Sequence, residues 1–230
     1  MVAPFLGFPE IRVREAHEPS DPIHPGWPEC TETVTLAHGG MVRLRPILKS
    51  DGSKWRELRL SNQQFLQPVE PTVPNTWESA HSAASWRRTF NYFRREALNG
   101  AMIPMAIELD GKFIGQLTLG NIQRGVASEC WVGYWIDYTV TGRGIAKVAT
   151  ALGCDFAFTR VGLHRVTATY LPTNPASGAV LTANGFKEEG LLRRNLHIDG
   201  SWQDHYLMGL VVDDFAASAV ERLRAAGVLV

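Results

Sequence analysis

Residues 135–146 read Trp-Ile-Asp-Tyr-Thr-Val-Thr-Gly-Arg-Gly-Ile-Ala. The stretch opens as the apolar end of a strand and closes as the start of a helix. From 144 to 159, Ile145, Val148, Ala149, Leu152 and Phe156 recur at helical spacing. Between strand and helix, Gly142 and Gly144 let the backbone turn tightly and approach a ligand. The first turn of the helix leaves amide N–H groups unpaired at the positive end of the helix dipole. Such a cradle suits a pyrophosphate, and Arg143 adds the chance of a charge-assisted contact. The same residues also suit a plain helix start that needs glycine to clear the strand. They are not a Walker loop, because no Lys-Ser/Thr follows, nor a dinucleotide fingerprint, because the third glycine is missing.

Working outward, 129–136 reads as the strand that feeds the bend. Before it, strands at 102–109 and 112–119 flank Asp110-Gly111, a strong hairpin signal. After the helix, 164–170 reads as a strand and 175–183 as a short helix stopped by Asn184-Gly185. Strands at 186–198 and 202–212 turn at Asp199-Gly200. An earlier hairpin, 31–37 with 41–46, turns at His38-Gly39-Gly40. Two helices precede the strands: one capped at Ser50-Asp51 and running to about Gln64, and one over 77–98 ended by Asn99-Gly100. A terminal amphipathic helix is expected over 213–226. This order predicts an α/β protein, a mixed sheet with helices over its faces. Only the crossovers around 144–159 and 175–183 call for parallel neighbours.

The 230 residues suit one domain plus a short extension. Residues 1–30, rich in Pro and polar groups, are expected to form a poorly ordered or loosely docked arm, and 31–230 the domain. Lys+Arg and Asp+Glu both number 23, so no overall field draws the chain to nucleic acid or an anionic membrane. Neither is expected as a partner, and any anion site must be built locally. Three cysteines, Cys30, Cys130 and Cys154, argue against a disulfide framework and for a reducing, cytoplasmic compartment. Cys130 and Cys154 read as small buried residues rather than nucleophiles. The N-terminal stretch carries acids and no basic region, so it is not expected to be a secretory signal. His164, His197 and His205 lack metal spacing, and no metal is expected.

The bend resembles the acetyl-coenzyme A signature of the GNAT superfamily of acetyltransferases, Gln/Arg-x-x-Gly-x-Gly/Ala. Gly144 and Ala146 fill the two small positions, and Thr141 stands where Gln or Arg is usual. Gly133-Tyr134-Trp135-Ile136 looks like the strand entering that signature in the RimJ/RimL-like branch, which acetylates N-termini of ribosomal proteins. Asn174-Pro-Ala-Ser177, Val180, Leu181 and Asn184-Gly185-Phe186 resemble the branch's Asn-x-x-Ser…Gly-Phe segment. Glu189-Gly190 and Asp199-Gly200-Ser-Trp202-Gln-Asp204 resemble its C-terminal hairpin. The likeness spans about Met41 to Val212.

The resemblance implies a GNAT-like fold: a mostly antiparallel twisted sheet flanked by helices, with splayed central parallel strands. Acetyl-coenzyme A would be the cosubstrate. Its diphosphate would lie on Thr141, Gly142, Arg143, Gly144, Ile145 and Ala146, and its pantetheine along Tyr134, Trp135 and Ile136. Asn174, also a natural helix N-cap, would touch pantetheine or the incoming amine. Ser177 would protonate the departing thiolate. Glu129 would be the general base, directly or through water. The position of a base found in some RimL-type enzymes falls on Leu196. The implied activity is N-acetyltransfer to a primary amine, foremost the N-terminal α-amine of a protein such as a ribosomal protein. A small amine as acceptor (an amino acid, aminoglycoside or polyamine) and a non-catalytic coenzyme A-binding module are the alternatives.

One argument favours the α-amine. Its pKa is near 8 and that of lysine about 10.4, so at neutral pH roughly a tenth of an α-amine is already neutral, against far less of a lysine. An enzyme for N-termini needs less help from a base. The region 51–99, which would wall the acceptor side, holds more basic than acidic residues. That is a poor lining for a polyamine.

Overall fold

A computed structural model describes residues 11–230. Eight strands form one sheet: β1 (Val34–Thr35), β2 (Met41–Pro46), β3 (Met102–Leu109), β4 (Lys112–Gln123), β5 (Glu129–Ile136), β6 (Arg165–Tyr170), β7 (Lys187–Ile198) and β8 (Ser201–Val211). Their order across the sheet is β1-β2-β3-β4-β5-β6-β8-β7. Among the described strands only β5 and β6 run parallel as neighbours. The crossover through 175–183 therefore does not create a second parallel pair, because β8 inserts between β6 and β7. The helices are α1 (Gly52–Ser61), α2 (Gln63–Leu66), α3 (Trp77–Ala80), α4 (Ala83–Leu98), α5 (Ile145–Thr159), α6 (Pro175–Ala183) and α7 (Ala219–Ala225).

Alternation along β5 sends its side chains to two faces. Cys130, Val132, Tyr134 and Ile136 join the main core with α5. Trp135, on the opposite face, joins a second cluster with Trp55 of α1 and Trp86 and Phe90 of α4. Ala149, Ala151, Gly153 and Cys154 are buried in α5, so the helix lies close to the sheet. A Cβ on Gly153 would stand only 3.0 Å from Leu117. Burying Val148, Leu152 and Phe156 stabilises this packing by about 1.5–3 kcal/mol each.

Four expectations change. The helix expected to run to Gln64 is interrupted at Asn62, between α1 and α2. The helix expected over 77–98 breaks at His81 and Ser82, where the Ser82 hydroxyl accepts from Ser85 N and restarts the chain as α4. The terminal helix starts late, at Ala219. Val212–Asp214 forms a 3₁₀ turn, and Ser218 and Glu221 make a capping box. The described part of the arm, residues 11–30, is firmly docked rather than loose. Trp27, Glu29 and Cys30 are buried, and Glu29 accepts from Ser20 Oγ and Arg160 Nε, both at 2.6 Å. Residues 1–10 of the expected arm lie outside the described residues. Among the described residues no helix is long and apolar enough to cross a membrane.

Candidate active site

β5 ends at Ile136, and Asp137 then caps the 3₁₀ turn Tyr138–Val140. Its carboxylate accepts from Thr139 Oγ1 at 2.7 Å and from Asn62 Nδ2 at 3.1 Å. Partial burial pushes the Asp137 carboxyl up, but these hydrogen bonds more than offset it and hold it below its usual value. Asn62 Oδ1 accepts from Tyr138 N at 2.7 Å, and Phe65 stacks on Tyr138 with centroids 3.5 Å apart. The interruption between α1 and α2 is thus a tie to the bend.

Thr141 donates through both its amide and its hydroxyl to Tyr138 O, at 3.1 and 2.8 Å, so its hydroxyl is engaged inside the turn. Gly142 and Gly144 follow in the left-handed region, with φ of 77° and 79°. A side chain there is strained. Val148 N donates to Gly144 O at 3.0 Å, which leaves the amides of Ile145, Ala146 and Lys147 ahead of the helical ladder. Among the described residues, and leaving aside its neighbours in sequence, no atom lies within 4 Å of the point where a Cβ on Gly142 would project. Arg143 is exposed, with its guanidinium beside Gly40 of the β1–β2 turn. Two left-handed glycines, unpaired amides and a nearby cation fit a diphosphate.

The gap beside this cradle comes from the sheet. β5 and β6 pair at only three positions, Glu129 with Arg165, Cys130 with Val166 and Trp131 with Thr167. From Val132 to Ile136 the edge of β5 that faces β6 has no strand partner among the described residues. On the α5 face of this gap the hydroxyls of Tyr134 and Ser177 share a hydrogen bond of 3.2 Å. Asn174 caps α6, its Oδ1 accepting from Ser177 N at 3.3 Å. Asn174 thereby fixes Ser177 at the first turn of the helix. Burial pushes the Tyr134 phenol up to about 12, against a weaker pull from its bond to Ser177. Tyr134 therefore keeps its proton throughout the neutral range and can donate it.

The opposite face carries Glu129, Trp131, Gly133 and Trp135. Glu129 sits in the ladder's closed end, its Oε2 3.6 Å from Arg165 Nε. Arg165 forks onto both oxygens of Glu189, at 2.8 Å from Nη1 to Oε1 and through Nη2 to Oε2. Leu196 lies exposed on β7. Cys130 is buried and its thiol pushed up to about 12 by desolvation; Cys154, also buried, is pushed well above its usual value. Neither is a thiolate at neutral pH. Among the described residues no group of three or more His, Cys, Asp or Glu is placed to hold a metal ion.

Besides the Tyr134 hydroxyl, two further features have no motif in the sequence. The first is a clasp. Thr72 Oγ1 meets both His197 Nδ1 and Gly200 N at 2.8 Å, Thr72 N donates to His197 O at 2.9 Å, and Gln67 Nε2 donates to Asp199 Oδ1 at 2.8 Å. The tip of the β7–β8 hairpin is thereby joined to the segment after α2. Because α1–α2 is tied to the end of β5 and the hairpin belongs to the β6 side, the clasp bridges the open mouth of the gap. A cleft of about 390 Å³ lies against it, lined in part by Glu70, Thr72, Trp77 and Asp199. The second is a buried cation. Arg59 forks onto Glu70, donates from Nε to His81 Nε2 at 3.0 Å, and lies 5.0 Å from the ring centroids of Trp77 and Trp135. His81 must accept that bond, so its proton is on Nδ1, which faces Trp77 O at 2.7 Å. Desolvation, then the charge of Arg59, lowers His81 to about 4. Both features join residues far apart in sequence. The one sequence cue was the aromatic richness of this region, which reads equally as ordinary core.

Residues 42–187 match the acetyltransferase (GNAT) domain family. The probable N-acetyltransferase YjcK of Bacillus subtilis (strain 168) is 37% identical over 179 residues, which are 78% of this chain and 98% of that protein. The [ribosomal protein uS5]-alanine N-acetyltransferase of Escherichia coli (strain K12) is 30% identical over 177 residues, 75% of this chain and 90% of its own. Among solved structures, Mycobacterium smegmatis RimJ in complex with CoA-disulfide has a TM-score of 0.87 at 44% identity, covering 90% of this chain and 98% of its own. The matched span contains the cradle, the gap and the Tyr134–Ser177 pair, and the chain belongs to the GNAT family as an N-acetyltransferase.

Proposed function

We propose that this protein transfers the acetyl group of acetyl-coenzyme A to the N-terminal α-amine of a protein or peptide in the cytoplasm. The observation that carries the reading is the gap beside β5, which leads from the cradle to a pair of hydroxyls and is bridged at its mouth by the clasp. A bridged mouth favours a slender acceptor that enters end first, as a chain terminus does. Two relatives support this: the RimJ of M. smegmatis is described in complex with CoA-disulfide, and the E. coli relative acts on an alanine of ribosomal protein uS5. A ribosomal protein is therefore the first acceptor to try.

Bound acetyl-coenzyme A supplies a thioester whose acyl carbon the neutral amine attacks. The amides at the head of α5, with Gly142, Arg143 and Gly144, hold its diphosphate. Thr141 closes the turn that aims them. The free backbone edge at Tyr134, Trp135 and Ile136 pairs with pantetheine amides as an added strand does, and strand amides polarise the carbonyl oxygen. The Tyr134–Ser177 pair returns a proton to the departing sulfur, with Asn174 keeping Ser177 in place. Glu129 stands two strand residues, about 7 Å, from the point where β5 and β6 separate. It takes the amine's surplus proton through water.

A polyamine is the weaker acceptor. Of the carboxylates by the cleft, Glu70 is already neutralised by Arg59 and Asp199 is engaged by Gln67. Thiol release measured against peptides with free α-amines, the same peptides N-terminally blocked, and polyamines tests the reading. Release with the free peptides alone is expected. Release with polyamines alone, or with no amine at all, refutes it. Glu129→Gln is expected to slow transfer more at low pH than at high pH, where the amine is already neutral; an equal loss at every pH removes Glu129 as the base.

A further inference from the structure

We infer that Trp131 is the platform on which the amine-bearing residue of the acceptor sits, and that the fixed height of its indole limits the size of that residue. The inference rests on the proposed transfer to an α-amine and deepens it. Trp131 is the last β5 residue paired on both sides, with Gly120 of β4 and Thr167 of β6. Its indole lies flat on the sheet. A Cβ on Gly120 would stand 2.1 Å from the ring and one on Gly133 3.3 Å, so the ring has a seat that only hydrogen leaves open at Gly120. In spite of that seat the side chain is 40% exposed. A large aromatic that is held rigidly and left uncovered suits ligand contact better than core packing.

Across the sheet the same row runs Gly120, Trp131, Thr167, Gly209. At its far end the Arg165–Glu189 pair folds over Gly209, where a Cβ would meet Glu189 Oε1 at 2.4 Å and Arg165 Nη2 at 2.8 Å. Thr167 is left as the floor of a trough, with the indole on one bank and the ion pair on the other. Pantetheine laid along 132–136 ends at this row, and bond formation needs the amine within about 3–3.5 Å of the acyl carbon. The residue bearing the amine therefore lies in the trough against the indole. Its ammonium, before it loses a proton, gains from the ring face. The neighbouring Glu129, Arg165 and Glu189 together carry one net negative charge, which favours a cationic terminus.

The test uses the full chain, acetyl-coenzyme A and two peptides that differ only in the first residue, alanine or leucine. Relative kcat/KM is read for the wild type, Trp131→Ala, Trp131→Phe and Gly120→Ala. Trp131→Ala is expected to shift the alanine-to-leucine preference toward leucine by about tenfold or more, with KM for acetyl-coenzyme A changed by less than about twofold. Trp131→Phe should fall between. Gly120→Ala, which lifts the indole without removing it, should raise the KM of both peptides. Thermal melts identify any variant that does not fold, and Trp131→Phe then carries the test alone. An unchanged preference in the folded variants, with wild-type transfer intact, overturns the role of Trp131 and leaves the α-amine reading standing. A wild type that acetylates neither peptide overturns both.

Discussion

Tyr134 and Ser177 are 43 residues apart and meet across the gap at 3.2 Å. Because burial pushes the phenol up to about 12, Tyr134 stays an acid at every pH an enzyme assay reaches. Its ionisation therefore contributes no fall in kcat across the neutral range. Tyr134→Phe and Ser177→Ala should each lower kcat by on the order of a hundredfold with little change in coenzyme affinity, and the double variant should lose much less than the product. Stopped-flow thiol release checks this; additive losses would mean that the hydroxyls do not act as one relay. At the cradle, Gly144 has φ of 79°. Gly144→Ala forces a side chain into the left-handed region at about 1–2 kcal/mol. It should lower Tm and weaken acetyl-coenzyme A binding in calorimetry. The Asn174 cap is legible from the sequence, because Asn174 and Ser177 lie in one short motif. The Tyr134 hydroxyl is not: the resemblance points to position 134 for its backbone, and the hydroxyl's partner becomes apparent only when α6 is packed. Trp131 is not legible for the same reason, since its seat on Gly120 depends on strand register.

At the scale of elements, the turns were the easiest part to read. Asp110-Gly111 and Asp199-Gly200 join β3 to β4 and β7 to β8 where their turn chemistry placed them. The helices between β2 and β3 are harder to read, because the apolar spacing runs on across both breaks. Side-chain hydrogen bonds decide the breaks: Asn62 turns to Asp137 and Tyr138, and Ser82 caps α4. One break has a pH signature. Burial, then the charge of Arg59, pushes the His81 imidazole down to about 4 in the folded protein, from an ordinary value of 6.5. Below 6.5 the unfolded chain binds a proton that the folded chain refuses. His81's contribution is therefore fully present above 6.5 and is lost as pH falls toward 4, at most about 3 kcal/mol. Urea unfolding of the wild type and His81→Gln over this range should show a flatter pH dependence in the variant; parallel curves would count against a neutral, buried His81.

On the scale of the whole molecule, a formal charge of zero leaves anion binding to local backbone geometry, and the cradle at the head of α5 matches that expectation in form. The composition gave no hint of the clasp, which joins segments about 130 residues apart. Thr72→Val removes the oxygen that holds both His197 and Gly200. If the clasp shapes acceptor access, this change should raise the KM for peptide several-fold and leave coenzyme affinity unaltered; equal loss of both would make the clasp a matter of general stability. We propose that this architecture delivers acetyl to a chain terminus. One peptide with a free α-amine and one free lysine, incubated with the protein and acetyl-coenzyme A and mapped by tandem mass spectrometry, tests it most directly. The expected product carries its acetyl on the α-nitrogen alone. Acetyl on the lysine at a comparable rate, or an unmodified peptide in the presence of bound coenzyme, would contradict it.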